Sequence, residues 1–139
     1  AVAEAHRNDA PNLLKVADHF RNSLYDLDTH CHKEEQVLYP YIMEMWRAHD
    51  LGQQVEAFHC GSIQGPIQVM MADHDDELAR HARIAELTNN YTAPAEADED
   101  WREVLGLLRD FRAALEEHTA MENEVVFPMS LKLEQLAVG

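Results

Sequence analysis

Apolar residues return every three or four positions along three stretches of this chain, the spacing of one buried face on an α-helix. From about Pro11 to Ala48 the stripe is Leu13, Val16, Phe20, Leu24, Leu27, Cys31, Leu38 and Ile42, with no glycine and with Pro40 as the only interior proline. Asn8 or Asp9 can cap this helix with Pro11 in its first turn, and Pro40 should kink it. A second helix opens at Pro66 and runs to about Glu86 or Thr88, with Ile67, Met70, Met71, Leu78, Ala82 and Ala85 inward. A third spans roughly Asp100 to Leu136, with Val104, Leu107, Leu108, Phe111, Leu115, Val125, Val126, Met129 and Leu133 inward. Residues 1–7 read as the stub of a helix. Residues 49–65 form a connection punctuated by Gly52, Gly61 and Gly65, and residues 89–99 form a polar linker around Pro94. The prediction is an all-α, up-down helical bundle occupying residues 1–139 as one domain, with its first helix truncated or missing.

Composition agrees with helices rather than sheet. The chain has 139 residues, 46% of them hydrophobic, with only 5 Gly and 5 Pro. Its 26 acidic and 11 basic residues give a formal net charge of −15. That balance argues against nucleic acid or an anionic membrane surface as a partner. Two cysteines, Cys31 and Cys60, do not make a disulfide framework, and no apolar run approaches a membrane span. The chain as given shows no signal peptide, so a cytoplasmic location is the simpler expectation.

Two stretches echo each other. One is His30-Cys-His-Lys-Glu34 followed by Glu-Gln-Val-Leu-Tyr-Pro40, and the other is His118-Thr-Ala-Met-Glu122 followed by Asn-Glu-Val-Val-Phe-Pro128. In each, a His precedes a Glu by four residues, which puts both on one helix face. His74 stands on the middle helix between apolar positions. An imidazole or carboxylate turned into such a face is costly unless paired or metal-bound. Two facing His–Glu turns plus His74 offer three nitrogens and four carboxylate oxygens, the way bundle cores hold two metal ions between bridging carboxylates. Nitrogen and oxygen donors without thiolate suit iron or manganese, with zinc as a substitute. The predicted ligands are His30, Glu34, His74, His118 and Glu122.

A depth argument supports them. His30 lies 19 residues past Pro11, His118 lies 18 past Asp100, and His74 lies 15 before Asn89. At about 1.5 Å rise per residue, alternating helices bring all three to roughly one layer. The same arithmetic exposes a gap, because a four-helix bundle needs a fourth wall. His6 lies too near the turn to reach that layer and reads as a turn or cap histidine. The wall must come from further chain or from a partner, as in a homodimer. Cys31 reads as a packed thiol, Tyr39, Tyr41 and Phe127 as packing near the site, and His19, His32, His49, His59 and His81 as mostly solvated. Glu35 and Glu124 lie off the ligand face.

The runs His30–Pro40, Gly65–Asp75 and His118–Pro128 resemble the hemerythrin-like domain of the iron–sulfur cluster repair (repair of iron centres) proteins. The middle helix has Leu78 where the oxygen-carrying hemerythrins place a second His. The His-x3-Glu of the last helix also favours the repair group. The resemblance implies iron ligation by His30, His74 and His118, with Glu34 and Glu122 bridging two non-haem ions. It implies a role in the nitric oxide and oxidative stress response, with NO or O₂ as small ligand and iron–sulfur proteins as partners. Reduction of NO or donation of iron would be the chemistry. The alternative is an O₂-, NO- or redox-sensing module without turnover.

Overall fold

A computed structural model describes residues 1–138 of the chain. It is an all-α, up-down helical bundle, with no strand among the described residues beyond one isolated parallel bridge between Val55 and Val138. The short α1 covers Val2–Ala5 and α2 covers Asn12–Lys33. A π-helical segment, Glu34–Leu38, joins α2 to α3 at Tyr39–Asp50. After a connection comes α4, Gln64–Leu87, and then α5, Glu99–Met121. A second π segment, Glu122–Val126, leads into α6, Phe127–Ala137. No helix among the described residues is long and apolar enough to cross a membrane.

The irregularity expected at Pro40 is a widened turn ahead of it. Tyr39 N–H bonds to Glu34 O, and Phe127 N–H bonds to Glu122 O, both five residues back. Pro40 and Pro128 follow at once. A proline has no N–H to give and its ring crowds the carbonyl four residues back; a widened turn relieves both. Each π segment thus begins on the Glu of one echoed motif.

The extra residue per turn also moves the buried face. Along α5 the inward positions are Trp101, Leu105, Leu108, Leu115, Thr119 and Glu122; past the π segment they are Phe127, Ser130, Leu133 and Ala137. Val125 and Met129, which an unbroken 3.6-residue period carries inward, are exposed instead. Leu107 and Met71 are also exposed.

The chain divides into two compact units, residues 28–74 with 118–139, and residues 1–27 with 75–117. The first has a core of Leu38, Met45, Phe58, Ile63, Ile67, Met70, Phe127, Leu133 and Ala137. Its connection is tied down by Glu134, which accepts from Ile63 N–H at 2.8 Å and Ser62 Oγ at 2.6 Å. Gly52 turns the chain after α3 at φ +66°, a left-handed conformation that costs glycine little.

In the other unit, Leu13, Trp101 and Leu105 form one apolar cluster, and Val16, Ile84 and Leu108 another. Leu24, placed inward by its spacing, is 49% exposed and lines a groove of about 420 Å³ with Val16, Phe20, Val104 and Leu108. Asp9 does not cap α2. It holds His6 Nδ1 at 3.1 Å, while Asp98 holds His6 Nε2 at 3.1 Å and accepts from the N–H of Trp101. The His6 ring lies against Trp101, centroids 4.6 Å apart. The turn-histidine reading of His6 therefore holds.

Hydrogen bonds donated to Asp9 and Asp98 raise the His6 pKa above its ordinary value of 6.5. The unfolded chain loses this proton first as pH rises. The tie therefore contributes its full stability below about pH 6.5 and fades as pH climbs through the raised folded value. We expect His6→Gln to lower the melting temperature at pH 6 and to make little difference at pH 9. Equal losses at both pH values would show that the ring's packing on Trp101, rather than its charge, is what matters.

Candidate metal centre

The middle helix is where apolar spacing misled the reading most. The inward face of α4 is Ile67, Met70, His74, Glu77, His81, Ile84 and Thr88, so polar side chains fill three central positions. His74 belongs to the unit of residues 28–74 and 118–139, and there it meets the two echoed motifs.

His30, Glu34, His74 and Glu122 are all buried, and one ligand atom from each lies within 4.8 Å of the others. The His30 and His74 rings are 4.8 Å apart between centroids, with their Nε2 atoms 3.2 Å from each other. Their Nδ1 atoms point outward to oxygen acceptors. His30 Nδ1 lies 3.1 Å from Asp73 Oδ2, and His74 Nδ1 lies 2.8 Å from Asn123 Oδ1. With Nδ1 carrying the proton, each Nε2 turns a bare lone pair inward. Two such lone pairs at 3.2 Å repel unless a cation or proton sits between them.

The carboxylates say the same. Glu34 Oε1 is 2.9 Å from His30 Nε2, and Glu122 Oε1 is 3.2 Å from His74 Nε2. Close as they are, both Oε1 atoms are buried without a hydrogen bond. Acceptors aimed at acceptors in a dry pocket are the donor set of a metal site. Glu34 and Glu122 also touch each other. Burial pushes the Glu34 carboxyl up, with Glu122 adding to it. Burial opposes the charge on Glu122 too, but its neighbours His74, Glu34 and Tyr39 outweigh it and push that carboxyl down to about 2. The two carboxyls are thus pushed in opposite directions, Glu34 toward holding a proton and Glu122 toward its charge.

His118 stands at the rim. Its Nε2 is 2.6 Å from Glu122 Oε1, yet its side chain is 53% exposed. It is brought to the site, 6.3 Å from the His74 ring, without joining the tight cluster of four. His6 lies in the other unit, as its depth implied.

Two side chains at this site escaped the reading of the sequence, and a third was read only as packing. Asp73 and Asn123 are the immediate neighbours of His74 and Glu122, and they orient the imidazoles. Tyr39 donates its hydroxyl to Glu122 Oε2, so it does more than pack. Tyr41 turns away and donates to Glu56 O at 2.7 Å. Cys31 is exposed, against the expectation of a packed thiol; the core side of this turn belongs to His30 and Glu34. In the other unit His81, expected to be solvated, is fully buried. It stacks on Phe111, faces Ser23 Oγ at 2.9 Å, and is pushed down to about 4 by burial and by Arg112 and Arg80.

Comparison with known proteins agrees with this arrangement. The hemerythrin HHE cation binding domain matches residues 1–130. The chain is 35% identical over 133 residues to the iron–sulfur cluster repair protein YtfE of Musicola paradisiaca, covering 96% of this chain and 54% of that protein. It is 33% identical over 124 residues to the YtfE of Citrobacter koseri, covering 88% of this chain and 50% of the relative. The Escherichia coli YtfE is 32% identical over 124 residues, with the same coverage. The chain spans about half the length of these curated relatives. On the match of residues 1–130 and the His/Glu cluster within them, the chain belongs to the hemerythrin HHE cation-binding family.

Proposed function

We propose that this chain holds two non-haem iron ions bridged by Glu34 and Glu122, with His30, His74 and His118 as nitrogen ligands. It would act in the response to nitric oxide and oxidative stress, in the repair of damaged iron–sulfur clusters. The observation that carries the reading is the convergence of buried ligand atoms: Glu34 Oε1 and Glu122 Oε1, each without a hydrogen bond, beside the Nε2 atoms of His30 and His74, which lie 3.2 Å apart. The kinship with YtfE proteins, named for iron–sulfur cluster repair, supplies the biological context.

Bound iron would supply two adjacent redox-active cations able to take NO or O₂. The chain's own residues do the rest. Asp73 and Asn123 hold the Nδ1 protons so that both Nε2 lone pairs stay directed inward. Burial raises the Glu34 carboxyl, and metal must displace any proton it holds, so loading weakens in acid. Leu38, Met70 and Phe127 keep the floor dry. His118 marks the more open side, where a small ligand enters. Met121, Val125, Met129 and Leu136 are exposed, apolar surface that a fourth wall, from further chain or from a partner, would cover.

Iron-loaded protein, reduced and mixed anaerobically with NO, should change its electron paramagnetic signal and release N₂O. A signal change without N₂O favours the sensing module. No response of either kind would end the proposal of NO chemistry. An as-purified protein without bound metal would end the metal reading itself.

A further inference from the structure

The two echoed motifs match position for position in His, Glu, an aromatic residue and Pro, but not in the chemistry of the aromatic residue. It is Tyr39 in the first and Phe127 in the second. Each is the first residue after its π segment and gives its N–H to the motif's own Glu, Glu34 or Glu122. The widened turn therefore sets both rings at equivalent places on their helices. One carries a hydroxyl and the other does not.

That hydroxyl is donated across to Glu122 Oε2, on the opposite motif. Oε1 of the same carboxylate is left facing the Nε2 atoms of His74 and His118, at 3.2 and 2.6 Å. Swinging the carboxylate would break a charge-assisted hydrogen bond in a buried pocket. Phe127 offers no counterpart. It stacks flat against His74, centroids 6.0 Å apart and planes 9° apart.

We infer that Tyr39 is a positioning residue for the metal pair: its hydroxyl locks Glu122 as the rigid bridge, while Glu34, which has no matching phenol, is the bridge free to shift. The inference rests on the metal-centre reading above. A phenol that anchors a ligating carboxylate tunes how tightly metal is held without touching it. The asymmetry lies in the protein rather than in the ligand set, since both motifs supply one His and one Glu.

The test is iron release from the loaded full-length protein to excess ferrous chelator, followed by absorbance. Tyr39→Phe keeps the ring and removes only the hydroxyl. It should speed release about 10- to 100-fold, the usual consequence of losing such an outer partner. Circular dichroism and the metal-free melting curve should still report a folded bundle. Tyr41→Phe is the control, because that hydroxyl goes to Glu56 O, and it should release iron at the wild-type rate. Release from Tyr39→Phe within twofold of wild type would overturn the inference and leave the metal centre standing. So would an equal acceleration in both variants, which would point to general loosening. Wild-type protein that takes up no iron would overturn the metal reading and this inference together.

Discussion

Replacing Glu34 and Glu122 together by alanine should reduce bound iron from about two ions per protein to none. The three histidines would remain, but imidazoles bind one ion apiece and cannot hold two cations close against their own repulsion. The carboxylates supply both the bridge and the compensating charge. Iron determination on matched wild-type and variant protein decides the matter, and full occupancy in the variant would refute the bridging role. The single glutamine variants separate ligation from folding. Burial disfavours the charged form of Glu34, so the neutral Glu34→Gln should leave metal-free stability within about 1 kcal/mol. Glu122 is ionised and accepts from Tyr39. The drop of its carboxyl from 4.5 to about 2 is linked to added stability at neutral pH. Because the folded value is the lower one, that contribution is present above pH 4.5 and is lost as pH falls toward 2. Glu122→Gln should therefore lower metal-free stability at pH 7 and matter little near pH 2. Both variants should lose iron, but only one should weaken the empty fold.

The second large effect is expected away from the ligands, in the unit of residues 1–27 and 75–117. Glu77 is buried, with Oε1 bonded to Arg80 at 2.8 Å and Oε2 to Ser23 Oγ at 2.5 Å. Arg80 also reaches Asp26 at 2.8 Å, and Ser23 in turn faces the fully buried His81. Glu77→Ala removes at once the acceptor of a buried hydroxyl and that of one nitrogen of a guanidinium. Breaking one side of a buried charge pair costs about 3–5 kcal/mol, and that is the loss we expect in urea unfolding at pH 7. Glu77→Gln keeps the shape and one acceptor, and should cost less than half as much. A loss below about 1 kcal/mol in Glu77→Ala would mean that water replaces the carboxylate and that the network is not a structural element of the fold.

Much of this molecule is legible in the order of its residues. Three long amphipathic helices follow from spacing alone. The ligand candidates follow from a His–Glu spacing that recurs with the same aromatic residue and proline behind it. The common depth of His30, His74 and His118 follows from helix rise, and so does the separation of His6 from them. All of these are local or repetitive properties, set within one helix by a period of 3.6 residues and read without knowing what packs against what.

What the sequence left undecided depends on contacts between helices. Glu77 and His81 look like ordinary surface residues of a polar helix, and only packing against Ser23, Arg80 and Phe111 shows them to be buried. Val125 and Met129 look inward until the π segment shifts the register by one residue, and the shift shows in the sequence only as a proline that could equally have made a kink. Tyr39 differs from Phe127 by one oxygen, whose partner lies 83 residues away on another helix. Helical periodicity is a property of one segment at a time. The direction of a lone pair, the partner of a hydroxyl and the burial of a charge are settled only when segments distant in the chain come together.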